Sequence, residues 1–424
     1  MTHRQLFFQH IAQTTDFPLA LEIDRAEGVY LYGPNGETYL DLISGIGVSN
    51  VGHRHPAVLA AIHAQLDKYM HLMVYGEYVQ GPQADLAHAL ITSLAGAETE
   101  YGPIDNVYFT SSGTEAVEGA MKVAKRFTGR TEFVACHNAY HGSTQGALSL
   151  SGDENFKRNY RPLLPDVRHI QHGYMPNLEQ ITTRTAAVIM EVVQGEAGVR
   201  VPDPAYLHAV RARCTATGTL LIFDEIQTGF GRTGSFWAFQ GIDPTGRAVV
   251  PDILLSAKGM GGGMPIGAFM APEPLMAVIK TNPMLGHITT FGGHPVSCAA
   301  SLVTLQTVQD QSLFADAERK GQLIKSLLVH PLIRDVRGKG LMLAAEFASF
   351  DVLKPIIDRV IQPGNVLGTS TPGIITDWFL FCNNSMRIAP PLTITDDEIR
   401  LACSTILGRI EAVAAESTLY NWVM

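Results

Sequence analysis

The sequence predicts an α/β protein: a large domain around a mostly parallel, mixed β-sheet, and a small α+β domain built from both chain ends. Between residues 105 and 270, short apolar runs alternate with longer segments of helical pattern, as in a sheet with helices on its faces. Several runs are apolar throughout, which is typical of strands covered on both sides. The six runs span residues 105–110, 132–138, 186–193, 219–226, 252–258 and 266–271.

The segments around these runs predict further elements. Residues 204–218 favour a helix, because the segment begins with proline, continues with apolar residues at helical spacing and ends with glycine. Residues 20–43 have the pattern of a small meander with Pro-Asn-Gly as a turn.

The domain boundaries follow from a change of pattern. The C-terminal part of the chain mixes helices with strands at 340–347 and 385–390. We therefore expect residues 51–315 to form the large domain, and residues 1–50 and 316–424 to form the small one together.

Composition excludes several classes of protein. The chain has 424 residues, of which 46% are hydrophobic and 17% charged, so it can bury a large core. Its net charge of −9 argues against a nucleic-acid partner. It has no apolar run of about 18 residues, the length needed to span a membrane, and no signal-peptide pattern at its start. Five cysteines without a Cys-x-x-Cys pair indicate a reducing cytoplasm.

Residues that follow the apolar runs are the candidates for a binding site, because ligands of parallel sheets lie beyond the carboxyl ends of the strands. Ser112, Gly113 and Thr114 follow the first run and begin a helical segment. Free N–H groups and the positive end of the helix dipole would make an anion site there. The same residues also fit an ordinary helix N-cap.

An aromatic and an acidic residue follow two later runs. Tyr140, in the segment AYHG, could stack on a flat ring or simply pack in its loop. Asp224 ends a nearly fully apolar run, where a carboxylate is costly without a cationic partner. That partner could be a protonated pyridine nitrogen, with the Gln227 amide close by; the alternatives are a helix cap or a salt bridge to an arginine such as Arg232.

Lys258 stands between an apolar run and the glycine-rich loop 259–263. Desolvation there would lower its pKa and make its amine available for Schiff-base chemistry, whereas the alternative is a lysine that reaches solvent. An anion site, an aromatic ring, a buried acid and a desolvated lysine are together the partners that pyridoxal phosphate requires.

Residues 229–234, GFGRTG, match the G-x-G-x-x-G fingerprint of NAD-binding proteins. That motif must open a long helix, but residues 235–246 are short, aromatic and interrupted by glycine and proline. Asp224 and Glu225 would also face the pyrophosphate. An NAD-binding oxidoreductase is therefore a remote alternative.

Two histidine pairs have the spacing of metal ligands, at positions 53/55 and 137/141. Neither pair lies in an H-E-x-x-H motif, and no acidic third ligand is near in sequence. We expect no metal site.

The sequence resembles class III pyridoxal-phosphate-dependent aminotransferases, the group of acetylornithine, ornithine and 4-aminobutyrate aminotransferases, over residues 47–399. The motifs that carry the resemblance are SSGTEAVEGAMKVA, AYHGSTQGALS, QGEAGV, LIFDEIQTGFGRTG, LLSAKGMGGGMPIGA and TTFGGHPVSCAA. The resemblance implies a fold-type I transferase that moves an amino group from an amino acid or ω-amino acid to a 2-oxo acid through a lysine Schiff base. An aminomutase or a decarboxylating aminotransferase of the same fold is the alternative within this chemistry.

The resemblance implies roles for the residues that would contact pyridoxal phosphate. Lys258 would form the Schiff base and carry the proton between the substrate Cα and the cofactor, and Asp224 would keep the ring nitrogen protonated. Tyr140 would stack on the ring and Gln227 would approach its 3′-oxygen. The phosphate would be bound by Ser112, Gly113, Thr114 and, from the neighbouring subunit, Thr290. This last contact implies a homodimer with shared active sites.

The resemblance also implies a substrate site. Arg387 would pair with a substrate carboxylate, Glu196 would neutralise that arginine when a distal amino group enters, and Glu191 would be a nearby structural acid. We expect a small-molecule amino donor and a 2-oxo acid acceptor as the partners of this site.

One departure limits the choice of substrate. Relatives that use glutamate or 2-oxoglutarate usually carry arginine where this chain has Ser143. Either another basic residue binds the second carboxylate, with Lys157 and Arg161 as candidates, or the acceptor differs and is, for example, pyruvate.

Overall fold

The centre of the protein is a seven-stranded sheet, as described by a computed structural model that covers residues 1–366 and 369–416. In chain order its strands are β1 (Asn106–Thr110), β2 (Glu132–Cys136), β3 (Val167–Ile170), β4 (Thr185–Glu191), β5 (Leu220–Asp224), β6 (Ile253–Ala257) and β7 (Gly267–Ala271). Their order across the sheet is β1-β7-β6-β5-β4-β2-β3. Only β7 runs antiparallel to its neighbours in this sheet. The predicted mixed, mostly parallel sheet is confirmed.

Strand β5 is apolar up to its last residue, Asp224, because both of its faces are covered. Leu221 and Phe223 belong to the core cluster on one face of the sheet, whereas Leu220 and Ile222 belong to the cluster on the other face. Alternate side chains of a strand point to opposite faces, so both faces of β5 are buried.

Strand β3 was not predicted. It is a short edge strand in which only Ile170 is buried, Val167 and His169 are partly buried and Arg168 is exposed. An edge strand that contains Arg168 and His169 has no apolar run by which the sequence could reveal it.

The helices that flank the sheet follow their sequence signals. Helix Gly113–Thr128 follows β1, and helix Pro204–Thr217 lies between β4 and β5. The second helix ends at Gly218, whose left-handed φ of 61° suits glycine. The predicted helix at 204–218 is thus confirmed.

A further core cluster draws on both chain ends. The meander predicted for residues 20–43 consists of antiparallel strands Arg25–Glu27, Tyr30–Tyr32 and Thr38–Asp41, and Gly373–Ile375 adds to it in parallel. Residues from this meander, including Leu40, pack with many from the C-terminal part of the chain. The domain boundaries at residues 50 and 315 stay a prediction, and residues 417–424 of the predicted small domain lie outside the described residues.

The C-terminal sheet contains both strands that the sequence predicted there, and it consists of Asp335–Lys339, Met342–Glu346, Cys382–Ile388 and Trp378–Phe379. The short strand pairs are Glu98–Thr99 with Gly102–Pro103, and Gly364–Val366 with Thr369–Thr371.

The other α-helices described are His3–His10, Ser44–Gly47, Pro56–Leu66, Gly81–Thr92, Gln145–Leu150, Glu154–Lys157, Ala238–Gly241, Glu273–Met276, Pro295–Asp310, Leu313–Leu327, Phe350–Val360 and Asp396–Glu416. Within residues 1–366 and 369–416, none of the helices has the length and apolar character needed to cross a lipid bilayer.

Candidate active site

A cavity of about 730 Å³ lies where the carboxyl ends of β1, β5 and β6 meet the loops that follow β2 and β4. Its volume is in the range of small-molecule and cofactor sites. Most of the predicted site residues line it, namely Ser112, Gly113, Thr114, Tyr140, Glu191, Asp224, Gln227 and Lys258. Side chains that are far apart in sequence therefore share one cavity.

The start of helix Gly113–Thr128 forms one wall. Ser112 is its N-cap and accepts a hydrogen bond of 3.4 Å from the Glu115 N–H. The first N–H groups of a helix have no intrahelical acceptor, and the helix dipole favours an anion beside them. Gly113 permits close packing, because a Cβ there would lie 2.7 Å from Cδ1 of Ile226. Ser112 is thus an N-cap, and the helix start that it caps faces the cavity.

Asp224 is buried at the end of β5 and has a histidine as its partner. The His141 Nδ1–H donates to Oδ2 of Asp224 at 2.7 Å, and the Ile226 N–H donates to Oδ1 at 3.0 Å. Burial alone would lower the pKa of His141, but the hydrogen bond to Asp224 and the charges of Asp224 and Glu191 outweigh it and raise that pKa. In the sequence, the one notable feature of His141 is its spacing from His137. Its contact with Asp224 joins residues 83 positions apart, so no local pattern predicts it.

The arginine considered as a partner for Asp224 has other contacts. Arg232 is buried and donates to Oδ1 of Asn50 at 2.6 Å, to the Leu341 carbonyl at 3.0 Å and to the Pro390 carbonyl. The neighbouring acid, Glu225, accepts from backbone N–H groups of helix Ala238–Gly241. Of the two adjacent carboxylates, Glu225 caps a helix and Asp224 faces the cavity.

The NAD-binding hypothesis is wrong. Residues 229–234 form turns, and the helix that follows, Ala238–Gly241, has only four residues. A dinucleotide fingerprint needs a long helix whose N-terminus faces the pyrophosphate.

Lys258 follows β6 and lines the cavity. Burial lowers the pKa of its amine to about 8, with Arg387 adding to the shift and the acids Glu196, Asp224 and Glu191 opposing it. Its φ of 47° lies in the left-handed region, which is costly for a residue with a side chain and recurs at functional sites. The side chain therefore presents a desolvated amine to the cavity instead of extending into solvent.

Beside the cavity, Arg387 and Glu196 form a buried ion pair. Their two parallel hydrogen bonds measure 3.0 and 2.9 Å, and Arg387 Nε donates to Oδ1 of Asp377 at 2.8 Å. Burial favours the neutral form of Glu196, but Arg387 and the Gln227 amide outweigh it and lower its pKa to about 2. The Gln227 Nε2–H donates to Glu196 at 3.1 Å and so connects the ion pair to the cavity wall. Asp377 was not predicted from sequence.

Glu191 ends β4 and organises two loops. It accepts hydrogen bonds from the Gly195 N–H at 2.6 Å and from the Tyr140 N–H at 3.4 Å. Burial raises its pKa to about 7. Glu191 thereby holds the loop that carries Tyr140 against the turn that carries Glu196.

Three residues considered from the sequence, Thr290, Lys157 and Arg161, are outside the cavity lining, whereas Ser143 is part of it. Thr290 is exposed, and Lys157 and Arg161 both pair with Glu154, at 3.3 and 2.7 Å. Ser143 lines the cavity, with its Oγ 3.1 Å from the Tyr140 hydroxyl. The two basic residues considered for a second carboxylate are thus engaged elsewhere.

A model of the class-III aminotransferase family matches residues 11–410 of this sequence. The chain belongs to this family. It is 37% identical over 406 residues to an acetylornithine aminotransferase from Methanopyrus kandleri, covering 95% of this chain and 97% of that protein.

Solved structures with the same fold are also aminotransferases. The ornithine aminotransferase from Toxoplasma gondii superimposes with a TM-score of 0.86 at 29% identity, covering 98% of this chain and 97% of that one. An amine transaminase from an uncultivated Pseudomonas species, in its pyridoxal-phosphate-bound form, gives a TM-score of 0.82 at 28% identity, covering 95% and 98% of the two chains.

This class-III aminotransferase therefore uses pyridoxal phosphate to move an amino group from an amino donor to a keto acid. The cavity fits that cofactor. It offers unpaired helix N–H groups for a phosphate, the Asp224 carboxylate for a protonated ring nitrogen and the desolvated Lys258 amine for an aldehyde.

Proposed function

We propose that Lys258 is the covalent anchor and proton carrier of this aminotransferase and that Asp224 binds the protonated ring nitrogen of the cofactor. The observation that carries the proposal is that Asp224 ends β5, Lys258 directly follows the adjacent strand β6, and both line one cavity with the start of helix Gly113–Thr128. Pyridoxal phosphate supplies an aldehyde that condenses with amines and a ring that takes up electrons released at the substrate Cα. The Lys258 and Asp224 substitutions described in the Discussion test this proposal.

The remaining roles in cofactor binding follow from position. Ser112 and the backbone N–H groups of Gly113 and Thr114 bind the phosphate at the helix start. Tyr140 covers the ring face, and Gln227 approaches the ring from the side of Glu196. Lys258 accepts a proton from the substrate Cα as a free amine, which its lowered pKa makes available near pH 8.

Arg387 binds the substrate carboxylate, and Glu196 controls its availability. The pair is buried and bidentate, so Arg387 must leave Glu196 before it can bind a carboxylate. A donor whose distal amino group enters the cavity meets the closed pair instead, in which the charge of Arg387 is already neutralised.

The acceptor is a keto acid with one carboxylate, such as pyruvate. Among the described residues that line the cavity, Lys258 is the sole lysine or arginine, and a buried carboxylate requires a cationic partner. Arg387 can supply one such partner, but a second carboxylate, as in 2-oxoglutarate, has none in this chain's cavity lining.

Introducing arginine at position 143 should change this preference. In Ser143→Arg we expect kcat/KM with 2-oxoglutarate to rise relative to pyruvate by about tenfold or more, the size of one charge-assisted hydrogen bond. The ratio of the two kcat/KM values is obtained from steady-state rates measured with each acceptor in turn, at a saturating concentration of one donor. Ser143→Ala is the matched control, because it removes the hydroxyl without adding charge. A wild-type enzyme that prefers 2-oxoglutarate would contradict the proposal.

The working unit is a homodimer in which Thr290 reaches the phosphate in the partner subunit. Thr290 is exposed and outside its own chain's cavity lining. It lies in the chain between residues 288 and 292, which line an apolar groove of about 720 Å³ together with the exposed residues Tyr78, Val79, Met284 and Leu285. Exposed apolar surface of this kind marks a protein interface, and a second copy would bring Thr290 to the incomplete site.

Subunit mixing tests the shared site. Lys258→Ala and Thr290→Val should each impair activity alone, whereas a mixed dimer contains one site with both Lys258 and Thr290. Co-refolding the two variants should therefore restore activity. Random pairing makes about half of the dimers mixed, and one of the two sites in each mixed dimer is intact, so activity should reach about a quarter of wild type. Light scattering should give twice the chain mass. A monomer, or mixing without recovery, would refute the shared site.

The cytoplasm is the proposed location. All five cysteines are within the described residues and are free thiols, as is usual in a reducing compartment.

A further inference from the structure

A chain of hydrogen bonds connects the phosphate-binding helix to the loop that carries Tyr140. The Thr144 hydroxyl is 2.6 Å from Oε1 of Glu118, and the same oxygen accepts from the backbone N–H groups of Gly146 at 2.9 Å and Ala147 at 3.1 Å. Thr144 Oγ1 is in turn 2.7 Å from Thr114 Oγ1. Glu118 and Thr114 lie on the same helix, and Thr144 lies on the loop.

Counting hydrogens fixes the direction of these bonds. Oε1 of Glu118 already accepts from two backbone N–H groups, so it is an acceptor for the Thr144 hydroxyl as well. Thr144 has one hydroxyl hydrogen, which goes to Glu118, and Thr114 must therefore donate to Thr144. The Thr114 hydroxyl hydrogen is thus directed to the loop and is not free for a phosphate.

Two glycines make this contact possible. A Cβ at Gly142 would lie 2.2 Å from Thr114 Oγ1, and a Cβ at Gly146 would lie 2.2 Å from Oε2 of Glu118. Both distances are far below van der Waals contact, so the loop approaches the helix this closely only because side chains are absent at these positions.

We propose that Glu118 and Thr144 are positioning residues that fasten the Tyr140 loop to the phosphate-binding helix through Thr114, and that they thereby set the affinity of the apoprotein for pyridoxal phosphate. The inference rests on the proposed position of the cofactor phosphate at the start of this helix. The chain of hydrogen bonds holds the phosphate wall and the ring-stacking loop in place before the cofactor binds, so that less ordering is required on binding.

The test is a set of variants titrated as apoprotein with pyridoxal phosphate, followed by quenching of protein fluorescence. Glu118→Ala and Thr144→Val should each raise the dissociation constant by about tenfold or more, the worth of a hydrogen bond to a charged group. Glu118→Gln and Thr144→Ser, which keep an acceptor oxygen and a hydroxyl, should recover most of that affinity. Glu318→Ala is a matched control, because Glu318 also accepts a backbone N–H, from Gly340 at 3.1 Å, but lies on helix Leu313–Leu327 and not on the helix whose start faces the cavity.

A double-mutant cycle tests the direction of the Thr114 bond. If Thr114 acts through Thr144, the loss of affinity in Thr114→Val/Thr144→Val should be clearly smaller than the product of the two single losses. Multiplicative losses would show that Thr114 contacts the phosphate independently and would overturn the inference. Unchanged affinity in Glu118→Ala and Thr144→Val, with only the melting temperature lowered, would overturn it as well. So would tighter binding in both Glu118→Ala and Glu118→Gln, because the carboxylate would then act by repelling the phosphate.

Comparison with pyridoxal, which lacks the phosphate, separates this inference from the proposed site. Ser112→Ala should reduce the preference for pyridoxal phosphate over pyridoxal. If that preference is unaffected, the phosphate is bound elsewhere and the proposed site fails. If Ser112→Ala reduces the preference while Thr144→Val and Glu118→Ala leave the dissociation constant unchanged, the proposed phosphate site is supported and only the positioning role is wrong.

Discussion

Replacing Lys258 with alanine is expected to lower kcat by about 10⁴-fold or more, because one residue serves as both covalent anchor and proton carrier. The measurement is single-turnover amino transfer from a donor, followed through the cofactor absorbance. The fold should be retained, since Lys258 lies at the cavity and not in the core. Lys325→Ala is a matched control, because Lys325 donates to the Gly338 carbonyl outside the cavity. Turnover at the wild-type rate in Lys258→Ala would exclude the assigned role.

The lowered pKa of Lys258 predicts a pH dependence for the apoprotein. The reactive form of the lysine is the free amine, which is populated above its pKa. Since burial lowers that pKa to about 8, the rate constant for covalent capture of pyridoxal phosphate should rise with pH with a midpoint near 8, and not near 10.5 as for an exposed lysine. Stopped-flow absorbance measures this rate.

A small primary amine added to Lys258→Ala should restore part of the proton-transfer rate.

Replacing Asp224 with asparagine is expected to lower kcat by about 10³-fold. An amide cannot stabilise the protonated ring nitrogen as a carboxylate does. Electrostatic stabilisation in a desolvated site contributes several kcal/mol: removal of one hydrogen-bond donor that stabilises a transition state costs about 3–4 kcal/mol in other enzymes. The substitution should also lower the pKa of His141, since its hydrogen bond to Asp224 and the charge of that carboxylate raise it. Kinetics of the donor half-reaction and NMR titration of His141 measure the two effects.

Glu225→Gln is the matched control for Asp224→Asn. Glu225 is the adjacent buried carboxylate, but its oxygens accept from the N–H groups of Ala238 and Phe239 at 2.6 and 2.8 Å. The glutamine amide would direct its own N–H groups at one of these donors, so unfolding should become easier by about 1–3 kcal/mol while turnover is largely kept. Equal losses of turnover in the two variants would contradict the distinct role of Asp224.

Local sequence patterns were enough to predict most strands of the central sheet. Residues 220–223 of β5 and 253–255 of β6 are all apolar because both faces of these strands are covered, and this pattern is visible in the sequence. Strand β3 escaped prediction because an edge strand needs no continuous apolar run. For Glu225 and Asp224, the sequence showed two carboxylates after one strand without showing which of them would face the cavity.

The sequence by itself determined which chemistry the chain carries and at which strand ends, because buried strands, glycine-rich turns and an isolated lysine are local patterns. Only the tertiary structure decided which other distant side chains meet: His141 lies against Asp224 across 83 residues, and Asp377 is a second carboxylate partner of Arg387. It also decided that Arg232 binds backbone carbonyls and that Lys157 and Arg161 pair with Glu154. The physical reason is that a buried charge must find a partner, and that partner is fixed by how strands and loops pack together, which spacing along the chain does not show.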